Sequence, residues 1–270
     1  MSERLAVRKT YKLWIGGAFV RSESGRHDRA GDFNIPRASR KDVRDAVGAA
    51  RQAFPSWAAR TAYNRGQILY RAAEALESRA ADLGEPREVE QAIDVLVHYA
   101  GWTDKLAPVL GGVNPVAAPF LSFSLPEPTG VVGVVAPDEP PLLGLVAEIA
   151  PALAAGNTVV AILSDAAPLN GLDMAEALGV SDVPGGVVNL LSGRRSELAP
   201  ALGAHRDLNA IVDAAGDPAL ATELDKLASE TIKRTRHSSA AGSYDEAVAD
   251  ALSRLEAVTE LKTAWHPIGA

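Results

Sequence analysis

At 270 residues, 47% of them hydrophobic, the chain carries enough apolar material for one large core or two small ones. A formal net charge of -7 supplies no overall attraction to nucleic acid or an anionic membrane, and with no cysteine there are no disulfides, thiolate metal sites or thiol nucleophile. No stretch reaches the roughly 18 uninterrupted apolar residues of a membrane span. The apolar run at 13–20 is too short, and too broken by Gly16 and Gly17, for a secretory signal, so a cytoplasmic location is the default expectation.

In chain order, Trp14-Ile15-Gly16-Gly17-Ala18-Phe19-Val20 reads as two strand arms about a glycine turn. Ser39 with Asp42 three residues on marks a helix start. Val43, Ala46, Val47, Ala50 and Phe54 then share a face until Pro55, where the helix is expected to end. Leu69, Ala72, Ala73, Leu76, Ala80 and Leu83 mark a second helix, closed by Gly84 and Pro86. A third has Val89, Ala92, Ile93, Leu96, Val97 and Ala100 as its inner face. Residues 108–128 are rich in proline and glycine, yet Phe120-Leu121-Ser122-Phe123-Ser124-Leu125 alternates as an edge strand would.

Residues 130–137, 157–163 and 187–192 are short valine- and leucine-rich runs separated by two segments of helical spacing. They read as β-α-β-α-β, and strands without in-out alternation should be buried on both faces, as in a parallel sheet between helices. Residues 209–214 form a fourth strand and 218–232 a helix with Leu220, Leu224 and Leu227 inward. Residues 233–243 have linker composition. A final helix, 245–258, leads into the alternating Thr259-Glu260-Leu261-Lys262-Thr263-Ala264-Trp265. The fold class is α/β: a doubly wound, mostly parallel sheet of about four or five strands preceded by a helical layer, with residues 1–236 as one domain that includes the strand near 120–125 and residues 237–270 as a linker, helix and C-terminal strand.

Three blocks within this order resemble successive parts of the cofactor domain of aldehyde dehydrogenases: Gly130-Val131-Val132-Gly133-Val134-Val135-Ala136-Pro137, Ala150-Pro151-Ala152-Leu153-Ala154-Ala155-Gly156-Asn157-Thr158-Val159-Val160, and Pro184-Gly185-Gly186-Val187-Val188-Asn189. Residues 14–20 resemble the family's opening hairpin, and Ala49-Ala50-Arg51-Gln52-Ala53-Phe54-Pro55-Ser56-Trp57 its N-terminal helical layer. Phe120, Leu121, Phe123 and Leu125 resemble the strand that enters the oligomerisation arm, and Leu261, Thr263 and Trp265 the arm's C-terminal strand. The resemblance implies a Rossmann-like cofactor domain and an arm, with the catalytic lobe between them deleted. On a domain without that lobe, both arm segments are expected to be exposed edges that recruit a partner chain.

An aldehyde dehydrogenase attacks its substrate with a cysteine thiolate, passes hydride to NAD(P) and hydrolyses the thioester with a glutamate as base. This chain has no cysteine. By resemblance, Glu139 stands at the oxyanion asparagine, and an ionised carboxylate accepts hydrogen bonds but donates none. The residues themselves read Asp138 and Glu139 as a solvated loop before Pro140. Ile162 stands at the lysine that holds the adenosine ribose, followed by Ser164 and Asp165, which read as caps of the next turn. Where the family turns toward the pyrophosphate, this chain has Asp213-Ala214-Ala215-Gly216-Asp217-Pro218. Asp217 before Pro218 is an N-cap signature. A carboxylate roughly 4 Å from a phosphate repels it by about 4 kcal/mol at an effective dielectric of about 20. Ser238 falls at the family's glutamate.

The five histidines lack metal-ligand spacing, and His237 beside Ser238 in a polar stretch makes no triad. The expectation is a non-catalytic subunit that binds a full-length aldehyde dehydrogenase, or itself, and supports assembly or stability. No metal, nucleic acid or membrane is expected, and no nicotinamide cofactor. NAD(P) is the disfavoured alternative, tied to an oxidoreductase acting on aldehydes through other residues.

Overall fold

The computed structural model describes residues 7–268. Two hairpins open it, β1 (Leu13–Ile15) with β2 (Ala18–Val20) and β3 (His27–Ala30) with β4 (Phe33–Pro36). Helices α1 (Arg40–Ala58), α2 (Ala62–Glu77), α3 (Ala80–Leu83), α4 (Pro86–Trp102) and α5 (Leu106–Leu110) follow. Strands β5 (Gly112–Asn114) and β6 (Phe120–Pro128) lead to the central alternation. It comprises β7 (Val131–Val135), α6 (Pro141–Ala155), β8 (Thr158–Ile162), α7 (Pro168–Val180), β9 (Val188–Leu191), α8 (Arg195–Gly203), β10 (Ala210–Asp213) and α9 (Pro218–Ser229). Strand β11 (Arg234–His237), helices α10 (Tyr244–Ala249) and α11 (Ala251–Ala257), and strand β12 (Thr259–Pro267) complete the described chain.

Local signals explain the helix ends. Ser39 and Asp42 form a reciprocal capping box at α1. Pro55 does not end that helix as its ring chemistry suggested. Burial of Trp57, which is fully enclosed, holds one more turn in place to Ala58. Helix α4 packs between α2 and α6, so its apolar face is wider than a single stripe. Val95 and Tyr99 are buried beside Val89, Ala92, Ile93 and Leu96, whereas Val97 faces out.

The main sheet has seven strands in the order β11-β10-β7-β8-β9-β1-β2. The run from β11 to β9 is parallel throughout. The β1–β2 hairpin adds an antiparallel margin, with Trp14 opposite Leu190. Its turn is tight against the neighbouring loop: Gly17 has φ +81, and a Cβ there would lie 2.6 Å from the Gly185 Cα.

Both sheet faces are covered. Val132, Val134, Val159, Ala161, Val188 and Leu190 join a core with α2, α4, α6 and α7. Val131, Val135, Val160, Ile162, Leu191 and Ile211 join the opposite one with α1, α8 and α9. Helix α6 is buried from Leu142 to Ala155 on all sides, as a helix apolar all round but for Glu148 must be.

The C-terminal stretch differs from its composition. Part of the 233–243 segment is β11, paired in parallel with β10, because the sheet margin there offers a row of open backbone groups. The 236/237 division therefore falls within a strand; residues 1–6 and 269–270 of the two segments lie outside the described residues. The final helix is two short ones, α10 and α11. The two arm segments are not both free edges: β12 pairs antiparallel with β6 over its full nine residues, from Thr259 opposite Pro128 to Pro267 opposite Phe120. Only β12 and β5 are margins of that three-stranded sheet, whose order is β12-β6-β5.

Candidate functional site

The chain steps from β7 to β8 to β9 in one direction, then returns to place β10 on the far side of β7. Strand order reverses between β7 and β10, and in open parallel sheets ligands bind outside the carboxyl ends of the strands at such a reversal. The segments gathered there are 136–138, 163–167, 192–195 and 213–217.

Each helix that starts at this edge has its first amides occupied by an acceptor of the chain itself. At α6, Leu142 N and Leu143 N donate to Glu88 Oε1 at 2.6 and 3.0 Å. Before α7, Ala166 N and Ala167 N donate to Ser164 Oγ at 3.2 and 2.9 Å. Arg195 N, at the start of α8, donates to both Asp165 oxygens at 3.0 and 3.2 Å. At α9, Ala219 N and Leu220 N donate to Asp217 Oδ1 at 2.8 and 3.3 Å. These are the groups, and the positive ends of the helix dipoles, that an anion would otherwise use.

Arg195 bridges the strand ends. Its guanidinium donates to Asp138 Oδ2 at 3.1 Å, to Asp138 Oδ1 at 2.8 Å and to the Ala136 carbonyl at 2.9 Å. Asp138 Oδ1 also accepts from Ser164 Oγ and from Asp165 N, at 3.0 and 2.9 Å. Asp138 is thus a structural hub rather than part of a solvated loop. Burial pushes its carboxyl up, and Arg195, Ser164 and Ala166 N more than offset this to hold it below the usual range. Asp165 moves the other way: its burial outweighs the Arg195 interactions and raises it. Glu139 is exposed, and Ile162 is fully buried in the core under α1 and α8.

Beside this ring lies a cavity of about 630 Å³, between the carboxyl ends of β8 and β9 and the β3–β4 hairpin. Asp165, Arg194, Ser196, Gly193 and Arg29 line it. An acidic side chain at the end of the second strand of a doubly wound sheet is placed to accept from ribose hydroxyls. Asp165 fits that role. The start of α9 does not fit a phosphate while Asp217 caps it.

On the β10 side, His237 sits between two carboxylates, with Nδ1 3.2 Å from Asp213 Oδ2 and Nε2 2.9 Å from Asp225 Oδ1. Desolvation lowers its pKa, but hydrogen bonds to Asp225 and Asp213 outweigh this and raise it above the ordinary imidazole value. The folded pKa therefore exceeds the unfolded one. The stabilisation is fully present below the unfolded value and is lost as pH rises through the folded value. In urea titrations across pH 5–8 the parent should lose stability with rising pH through that window, and His237→Gln should flatten the loss. Equal slopes for parent and variant would remove this assignment.

The model of the aldehyde dehydrogenase family matches residues 28–249. The chain belongs to the aldehyde dehydrogenase family. It is 32% identical over 234 residues to mouse (Mus musculus) cytosolic 10-formyltetrahydrofolate dehydrogenase, covering 77% of this chain and 26% of that protein. It is 30% identical over 243 residues to an aldehyde dehydrogenase of Davidiella tassiana, covering 82% and 48%. Among solved structures, PnpE in complex with nicotinamide adenine dinucleotide superposes with TM-score 0.80 at 30% identity, covering 86% of this chain and 51% of that one. An NAD+ complex of an aldehyde dehydrogenase from Bacillus cereus gives 0.78 at 27%, covering 85% and 50%. The chain spans at most about half the length of these relatives.

These neighbours overturn the expectation of a chain without a nicotinamide cofactor: the half of each that this fold matches comes from a structure solved with NAD. That expectation counted Glu139, Ile162, Asp165 and Asp217 as degenerate cofactor positions and read Asp165 as a cap. Among the described residues no group of histidine, cysteine and carboxylate side chains is arranged to hold a metal ion, and no helix is long and apolar enough to cross a membrane.

The arm residues lie apart from this site. Phe120 and Trp265 meet edge to face at 6.0 Å, and Thr263 Oγ1 lies 2.8 Å from Ser124 Oγ. Leu121, Leu125, Leu261 and Trp265 are exposed, and Phe123 is half-buried. Glu88 and Arg195 went unnoticed in the sequence. Glu88 lies far from α6 along the chain, and only the Gly193-Arg194-Arg195 run after a strand hints at the second.

Proposed function

We infer that this chain is a non-catalytic subunit of aldehyde dehydrogenase type, cytosolic, acting through its arm in an assembly with other chains of its family and supporting their assembly or stability. One observation carries the reading: a nine-residue arm strand is retained in full register in a chain with no cysteine. This chain therefore brings no thiolate nucleophile, while its retained arm strand supports a role in association. Glu139, exposed and anionic at the strand ends, opposes negative charge on a substrate oxygen rather than stabilising it. Native mass spectrometry of the tagged protein, purified gently from its source, tests the reading. A stoichiometric complex with a cysteine-bearing relative supports it, and a strict monomer sinks it.

A second reading, an NAD(P)-dependent oxidoreductase acting on aldehydes, is favoured by the NAD-bound neighbours and by Asp165 in its cavity. When bound, the dinucleotide supplies a hydride acceptor. Asp165 would accept from its ribose, and Arg194 would add positive charge alongside. Asp217→Gly removes a charge from the start of α9 at a stability cost of a few tenths of a kcal/mol. Calorimetric titration should show NAD+ binding about tenfold more tightly to this variant, the repulsion being screened at an exposed site. Unchanged affinity would show that the dinucleotide does not approach α9.

A further inference from the structure

We propose that Arg195 is a latch over the carboxyl ends of β7 and β8, beside the crevice where strand order reverses, and that a dinucleotide enters only after its side chain swings out. The proposal rests on the second reading above and adds what regulates entry. The ends of β7 and β8 offer a donor-bearing ligand three acceptors: the Ala136 carbonyl and the carboxylates of Asp138 and Asp165. Arg195 engages all of them. Its guanidinium donates to the Ala136 carbonyl at 2.9 Å and to Asp138 Oδ1 and Oδ2 at 2.8 and 3.1 Å, while its backbone N donates to both Asp165 oxygens. A ribose reaches such acceptors through its hydroxyls. The arginine fork therefore stands where the donors of the sugar would be.

Ala136 is fully enclosed, so nothing else reaches its carbonyl while the guanidinium is in place. The ion pair itself lies at the rim: the Arg195 side chain is 13% exposed and that of Asp138 42%. Charge-assisted bonds are strong, but at a half-open site water and salt compete for them, so the pair opens without disturbing the core. Closure also leaves Arg195 Nε buried without an acceptor among the described residues, a cost absent once the side chain is out. The support on either side is fixed. Helix α8 packs through Leu198, Ala199 and Leu202, and Asp138 keeps Ser164 Oγ and Asp165 N as donors when the fork leaves. The moving part is thus one side chain, and a ligand that binds only the open state loses affinity by the fraction of molecules that are open.

With an open state of about 10%, Arg195→Ala should bind NAD+ about tenfold more tightly than the parent in calorimetric titrations of the full chain. Arg195→Lys keeps the charge but has no fork to span Asp138 and the Ala136 carbonyl together, and it should tighten binding by less. Circular dichroism and thermal unfolding check that both variants fold. Weaker binding to Arg195→Ala, with Arg195→Lys close to the parent, would make Arg195 a ligand contact and overturns the latch. Equal affinity in all three proteins would mean that the ligand bypasses this edge, and overturns it too. Both results leave the cofactor reading standing, because the parent binds. No binding by the parent or by either variant overturns the cofactor reading and the latch together.

Discussion

Replacing Glu148 by leucine is expected to destabilise the protein by about 3–5 kcal/mol, the cost of breaking a buried ion network from one side. Glu148 lies on α6, the enclosed central helix, and is 2% exposed. Its carboxylate accepts from Arg236 Nη1 at 2.9 Å, Arg254 Nη1 at 2.5 Å and Ser238 Oγ at 2.9 Å. The leucine variant leaves two guanidinium groups, both largely buried, without a counter-charge. The midpoint of thermal unfolding should fall by roughly 6–20 °C on the size scaling of such domains. Combining Glu148→Leu with Arg236→Met and Arg254→Met should recover most of the loss, because removing all the charges removes their desolvation cost. A single variant as stable as the parent would show that the network is solvated in solution.

The second large effect is expected at Asn157, which is fully buried between β7, α6 and the start of the arm. Its Oδ1 accepts from Gly130 N at 2.8 Å, and its Nδ2 donates to the carbonyls of Ala152 and Val258 at 3.1 and 2.9 Å. Asn157→Ala leaves the Gly130 amide unsatisfied and should cost about 2–3 kcal/mol. Val258 immediately precedes β12, so the loss should also be directional. Deuterium exchange should accelerate in β12 and at Gly130 before it does in β8. Uniform acceleration through the sheet would mean that Asn157 serves the core alone and does not hold the arm.

These two residues also mark what the chain discloses in one dimension. Glu148 is the single charge in the otherwise apolar run of α6, and such a charge signals a partner without naming it. Arg236 and Arg254 lie about a hundred residues away, the first in a stretch whose polar composition reads as linker and the second in the final helix. Asn157 sits in a block shared with the family, but its contact with Val258 spans most of the C-terminal half of the protein.

The sequence by itself determined the elements whose causes are local. The β-α-β-α-β alternation follows from hydrophobic runs and their periods, and the starts of α1 and α9 from side chains that reach only three residues. Family membership was legible for the same reason, because its blocks are contiguous. Only the tertiary structure decided where unpaired backbone went. It placed residues 234–237 in the main sheet, carried α1 past Pro55 and joined β12 to β6, since a strand takes whichever open margin lies beside it. Tertiary structure likewise turned Asp138 from a solvated loop residue into the hub of the strand ends, through Arg195 brought from two strands away. Distant charges and edges find one another through packing, and spacing along the chain carries no record of that.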